Sequence, residues 1–93
     1  MAARLNDSEI QAQLQQHPNW TLKGKTIEQT KTFDGFPSAI AFVNALVDPA
    51  EAAGHHPDLA ISYNRVTISL STHDAGGLTV QDFDMANVID QLG

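Results

Sequence analysis

Cysteine is absent from this 93-residue chain. That excludes a disulfide framework, a thiolate nucleophile and a cysteine-based zinc site. A reducing cytoplasm is compatible with it, and secretion gains no support. Basic residues are scarce as well: five Lys and Arg stand against eleven Asp and Glu, a formal net charge of −6. Cations so few and so scattered argue against binding along a phosphate backbone, so no nucleic-acid partner is expected. A neutral or cationic small molecule, or another protein, suits that charge better. Long apolar runs are also missing. No stretch nears the ~18 apolar residues of a membrane span, and Met1-Ala2-Ala3-Arg4-Leu5-Asn6-Asp7 reaches an acid before any signal-length apolar segment forms. A soluble, cytoplasmic protein with no membrane partner is the expectation. No repeat and no low-complexity linker interrupts the chain, and 42% hydrophobic content supports one core. Residues 1–93 therefore read as a single domain.

What is present begins with a helix signal. Asn6 as N-cap, Glu9 three residues on and Leu5 placed to staple onto Ile10 open a first helix. Ile10 and Leu14 mark its narrow apolar stripe, and His17-Pro18 ends it, because the residue before proline is pushed out of helical space. His17 reads as a solvated helix-end residue. Trp20–Lys23 and Thr26–Phe33 flank Gly24-Lys25, a pair suited to a type II′ hairpin turn. The second of these strands alternates weakly, with Gln29 and Lys31 between Ile27 and Phe33, as a half-covered or edge strand does. Trp20 reads as a core residue entering the first strand.

Phe36, Ile40, Val43, Val47 and Ala50 then share one helical face, with Ala39, Phe42 and Leu46 in a row beside it. Such a helix can cover a sheet on one side and meet a second subunit on the other. Pro49 predicts a kink or break near Asp48, or else a new short turn capped by Asp48 with Pro49 as its first residue. Gly54 stops the helix in either case. Leu59–Ser62 and Arg65–Ser71 form a second hairpin about Tyr63-Asn64, with Val66, Ile68 and Leu70 facing a core. Gly76-Gly77 makes a flexible loop. Thr79-Val80-Gln81-Asp82 then opens a last helix along which Phe83, Ala86 and Ile89 turn. The order α-β-β-α-β-β-α predicts an α+β domain: a four-stranded antiparallel sheet with helices packed on one face.

Chemistry concentrates around Glu51-Ala52-Ala53-Gly54-His55-His56-Pro57-Asp58. His55 and His56 follow a helix end and precede one strand of the second hairpin, and His73 follows the other strand. The hairpin brings those ends together, so three imidazoles converge on one pocket, with Glu51 a turn upstream and Asp74 beside His73. An imidazole near its ordinary pKa of ~6.5 can give or take a proton at neutral pH. The plainer alternative is a set of hydrogen-bonded loop residues at a sheet edge.

The spacing Glu51, three residues, His55-His56-Pro57, five residues, Tyr63, nine residues, His73, eight residues, Asp82 resembles the signature of the pterin-4a-carbinolamine dehydratase family. Tyr63-Asn64-Arg65-Val66, Ser71-Thr72-His73 and Gly77-Leu78 resemble it too. The resemblance implies a lyase that removes water from a 4a-hydroxytetrahydropterin to give quinonoid dihydropterin, the pterin being substrate and no cofactor being needed. By position in the motif, His55 and His73 would transfer protons and His56 would hold the pterin. Glu51 would pair with an N–H edge, and Gly54, Ser71, Thr72 and Asp74 would contact the ring. Asp82 itself reads as a helix cap, Tyr63 as a packing residue, and Pro57 as the residue that holds His56 extended. Two other readings stand beside this one. Histidines with Glu51 or Asp74 could bind zinc, although neighbouring side chains point apart in extended chain. The domain could also be a non-catalytic dimerisation or binding module of the same fold, since some relatives also serve as dimerisation partners of a homeodomain transcription factor. A homodimer or homotetramer through the central helix is expected in any case.

Overall fold

Asn6 starts the fold as its side chain predicts. Its Oδ1 accepts from the Glu9 N–H and its own N–H donates to Glu9 Oε1, each at 2.8 Å, and α1 runs Asp7–Gln16 from there. The computed structural model describes residues 3–92; Met1, Ala2 and Gly93, which fall in the expected N-terminal segment and single domain, lie outside them. His17 caps the end of α1 but is not the solvated residue expected. Its Nδ1 sits 2.9 Å from Gln13 O, and its ring tilts onto Phe83 with centroids 5.5 Å apart.

Strands β1 (Thr21–Lys23), β2 (Thr26–Thr32), β3 (Asp58–Ser62) and β4 (Arg65–Leu70) form one antiparallel sheet in the order β1-β2-β4-β3. Gly24 turns the first hairpin at φ +60, a value its missing side chain allows. The second hairpin turns without glycine: Tyr63 takes φ 54, and the Asn64 side chain donates to Phe33 O at 2.9 Å. Tyr63 is 69% exposed, so it is not the packing residue expected.

The weak alternation of β2 has a cause other than an edge position, because β2 lies inside the sheet between β1 and β4. In the register Gln29↔Ile68 and Lys31↔Val66, both polar residues face the helices. Each finds a partner there. Gln29 Nε2 donates to Asp90 Oδ1 at 3.0 Å, and Lys31 Nζ lies 5.6 Å from the centroid of the Phe42 ring.

The central helix is two helices, α2 (Phe36–Ala45) and α3 (Val47–Ala53), parted at Leu46. The break falls two residues before Asp48, and Asp48 caps nothing. Pro49 has no N–H to give to the Ala45 carbonyl and its ring crowds that oxygen, so the disturbance belongs one turn upstream of the proline. The two apolar rows divide unevenly between core and surface, the row of Ala39, Phe42 and Leu46 facing the core. Ala39, Phe42, Leu46 and Ala50 are buried, whereas Phe36 and Val47 are 50% and 54% exposed.

Helix α4 (Val80–Leu92) lays Phe83, Ala86 and Ile89 into the core with Ile27, Val66, Ile68 and Leu70. Trp20 is buried as expected, and its Nε1–H donates to Asp90 at 3.1 and 3.2 Å. Asp90 thus ties β1 and β2 to α4 through two neutral donors. Asp90→Ala leaves both donors unmatched and is expected to cost about 1–3 kcal/mol, read from the urea midpoint with Trp20 fluorescence as probe. The other face of the sheet carries Thr30 and Thr67, whose hydroxyls meet at 3.0 Å, and the Lys23–Glu28 ion pair. Among the described residues, no helix is long and apolar enough to cross a membrane.

Candidate active site

Two chain reversals build the site. Gly54 ends α3 in the left-handed conformation (φ 61, ψ 30), and the His55 N–H closes back on Ala50 O at 3.1 Å. Across the second hairpin, Asp58 pairs with Ser69, which sets His56 and Pro57 level with Leu70 and Ser71. Beyond β4 the chain bridges on itself: Thr72 N–H reaches Gly77 O at 3.0 Å and Gly77 N–H reaches Thr72 O at 3.3 Å, around a 3₁₀ turn at His73–Ala75. The Gly76-Gly77 segment is therefore tied down, not the flexible loop expected. Gly77 is also covered by the Arg4 side chain, so that a Cβ there would come within 2.9 Å of Arg4 Cδ.

Between these reversals lies a hollow of about 450 Å³. Gly54, His55 and His56 form its wall on the α3 side. Ser71, Thr72, His73 and Asp74 form the facing wall, with Ala75 and Gln81 completing it. All the residues expected to transfer protons or touch the ring line it except Glu51. That carboxylate is turned aside to His56, with Oε2 2.5 Å from Nε2, both side chains being largely exposed. Among the described residues, no three His, Asp or Glu side chains come together as a metal cradle.

Behind the hollow is a polar network that sequence reasoning missed. Asp82, read only as a helix cap, does accept the Thr79 N–H through Oδ2 at 3.0 Å. Its Oδ1, however, lies 2.6 Å from His55 Nε2, and the residue is fully buried. Oδ2 also accepts from the Thr72 hydroxyl at 2.8 Å. With the Thr72 proton so directed, the 2.9 Å contact between Thr72 and Thr79 hydroxyls runs from Thr79 to Thr72, and the Gln81 N–H donates to Thr79 Oγ1 at 3.2 Å. The one sequence signal for this network was that Asp82 stands in the motif spacing. Nothing in the order of residues shows that a capping carboxylate has a second oxygen aimed at a histidine.

The network fixes a tautomer. An ionised carboxylate only accepts, so His55 donates its Nε2–H to Asp82, and the neutral ring keeps its lone pair on Nδ1. Nδ1 has no hydrogen-bond partner among the described residues. Among the described residues no sealed side-chain nitrogen or oxygen lacks a hydrogen bond, so Nδ1 reaches open space. His73 is exposed, and its ring makes no hydrogen bond among the described residues. One wall of the hollow thus carries an imidazole oriented by a buried carboxylate and the other an exposed imidazole.

A family model described as Pterin 4 alpha carbinolamine dehydratase matches residues 3–92. A protein of Cyanothece sp., provisionally named pterin-4-alpha-carbinolamine dehydratase, is 61% identical over 92 residues, 99% of this chain and 95% of its own. One of Picosynechococcus sp. with the same provisional name is 60% identical, covering 99% of this chain and 100% of its own. Among solved structures, a transcriptional coactivator/pterin dehydratase from Brucella melitensis matches with a TM-score of 0.91 at 32% identity, over 96% of this chain and 97% of its own. A pterin dehydratase-like protein described as a RuBisCO assembly factor in the alpha-carboxysome shares the fold alone, with a TM-score of 0.64 at 23% identity over 78% of this chain and 84% of its own.

Proposed function

The chain belongs to the pterin 4 alpha carbinolamine dehydratase family, and from that premise we propose that it eliminates water from 4a-hydroxytetrahydropterins by histidine acid–base catalysis. The observation that carries the reading is the hollow walled by His55, His56 and His73, with His55 held from behind by buried Asp82. His55 Nδ1 takes the proton from ring N5. The N5–H electron pair becomes the second bond of C4a=N5, the C4a–O bond breaks, and His73 delivers a proton to the departing hydroxyl. Water and quinonoid dihydropterin leave, and the two imidazoles recover their starting states by exchange with solvent. Positioned acid–base groups contribute about 10²–10⁴-fold to rate. Both proton transfers are supplied by side chains, so the pterin is the substrate and the step calls on no cofactor.

His56 holds the ring, its imidazole steadied by Glu51. His56→Ala is accordingly expected to raise KM about tenfold while changing kcat less than threefold, measured by the absorbance of the quinonoid product. Gly54, Ser71, Thr72 and Asp74 line the space where the ring edges would lie. The direct test of the whole reading is dehydration of chemically prepared 4a-hydroxytetrahydropterin by the purified protein. A rate no higher than that of buffer would overturn it. The carboxysome assembly factor shows that this fold also serves without being named for catalysis; the oriented His55–Asp82 pair favours chemistry here.

Self-association through the central helix belongs to the same proposal. Phe36 and Val47 project from α2 and α3, and a shallow groove beside Val43 and Val47 runs on to Leu59 of edge strand β3. Burying such residues contributes roughly 1.5–3 kcal/mol for each large side chain covered. A homodimer or homotetramer and a cytoplasmic setting complete the reading.

A further inference from the structure

Thr79 is fully buried and takes no part in the wall of the hollow, yet a single hydroxyl separates it from the carboxylate that orients His55. It stands just before α4 and caps that helix, its Oγ1 taking the Gln81 N–H at 3.2 Å. Capping needs only that acceptor. The hydroxyl proton is left over, and it goes to Thr72 Oγ1 at 2.9 Å. We propose that Thr79 is a positioning residue for the base of the reaction: its proton turns the Thr72 hydroxyl onto Asp82, and Asp82 so held keeps His55 with Nδ1 toward the substrate. This role rests on the dehydratase reading and deepens it.

Counting protons gives the direction. A hydroxyl donates once and accepts twice, and nothing in its own bonding decides which neighbour receives its proton. If Thr72 gave its proton to Thr79, the Thr79 proton would have no acceptor among the described residues, at a side chain closed to water. A buried donor left so is strongly disfavoured. With Thr79 donating instead, every group is matched. Thr72 gives its proton to Asp82 Oδ2 at 2.8 Å, and the Thr79 N–H reaches the same oxygen at 3.0 Å. Two donors from different segments then fix the carboxylate, which leaves Oδ1 aimed at His55 Nε2, 2.6 Å away. Without the Thr79 proton, Thr72 is free to turn its own into the hollow that it lines. Asp82 Oδ2 then keeps one donor in place of two, and its hold on the imidazole loosens. The loss falls on the orientation of the base and not on binding, because Thr79 does not line the hollow.

The test measures dehydration by Thr79→Val, Thr79→Ser, Thr72→Val and the combined Thr79→Val and Thr72→Val protein, each at a temperature where circular dichroism shows it folded. Thr79→Val is expected to lower kcat about tenfold with KM within about twofold of the wild type. Thr79→Ser keeps the hydroxyl and should match the wild type in both. If Thr79 acts through Thr72, adding Thr79→Val to Thr72→Val costs less than about a further twofold. An unchanged kcat in Thr79→Val, or the same loss on either background, would show a helix cap and nothing more, and would overturn the positioning role. A second readout needs neither turnover nor a folded Thr72→Val protein: exchange of the His55 Nε2 proton with water, followed by nitrogen-edited proton NMR of the ring. That exchange is expected to be at least about tenfold faster in Thr79→Val than in the wild type, and an unchanged rate would overturn the role. Should the wild type turn over no pterin, the dehydratase reading falls, and the exchange rates alone decide for or against Thr79.

Discussion

With His55 replaced by glutamine, kcat for dehydration is expected to fall by about 10²–10⁴-fold while the fold persists. Glutamine is the informative replacement. Its amide can still donate to Asp82 Oδ1 in place of the 2.6 Å contact from His55 Nε2, but it offers no basic nitrogen to N5. His55→Ala is a poorer probe, since it strips a donor from a fully buried carboxylate and adds about 1–3 kcal/mol of instability to the loss of the base. His73→Ala should also lose rate heavily, but without a stability cost, because its ring makes no hydrogen bond among the described residues. The combined His55→Gln and His73→Ala protein completes the argument. Two groups acting in one proton-transfer step lose less together than the product of their separate losses. Strict multiplication of the two effects would show them acting independently, and normal rates in both single variants would remove the mechanism.

Asp82→Asn carries the second large expectation: a loss of about 10²–10³-fold in kcat with KM little changed. The physical cause is a proton in the wrong place. If the asparagine amide turns its NH₂ toward His55, that group donates to Nε2, the imidazole proton moves to Nδ1, and the acceptor facing N5 is gone. If instead the amide carbonyl faces His55, the NH₂ confronts the Thr79 N–H, a donor against a donor, where the carboxylate accepted at 3.0 Å. Either arrangement damages the site or its support. The difference between Asp82→Asn and Asp82→Ala is equally telling. Alanine leaves the Thr79 N–H, the Thr72 hydroxyl and His55 Nε2–H all without an acceptor. At about 1–3 kcal/mol for each, that approaches the whole stability of a small domain. Asp82→Ala is therefore expected to be largely unfolded by circular dichroism at room temperature, and Asp82→Asn folded but slow. A folded, fully active Asp82→Asn protein would show that the carboxylate serves only as a helix cap.

How far the sequence reaches is clearest at Asn6 and at β4. The capping box needs only residues three apart, and Val66, Ile68 and Leu70 alternate on one strand; both are local patterns, and both hold in the structure. The hairpin argument that drew His55, His56 and His73 together was also local in kind, because a two-residue turn fixes which strand ends meet. Gln29 and Lys31 show where that reach stops. They read as a half-exposed strand because their partners, Asp90 and Phe42, belong to other elements that the strand's own pattern does not show. The same holds for the two rows on α2. Both have helical spacing, and only the position of the sheet decides that Ala39, Phe42 and Leu46 face inward.

By itself, then, the amino-acid order determined the elements, the turns between them and the family to which they belong, since each depends on neighbours a few residues apart. It also placed the histidines at meeting strand ends. The tertiary structure alone decided that Glu51 turns to His56 and not to the hollow, and that Asp82 serves both a helix start and the His55 imidazole. The reason is physical: a carboxylate has two oxygens and several directions in which to accept, and what it meets is set by packing across 27 residues for Asp82 and His55, and by the chain reversal at Gly54 for Glu51 and His56, five residues apart.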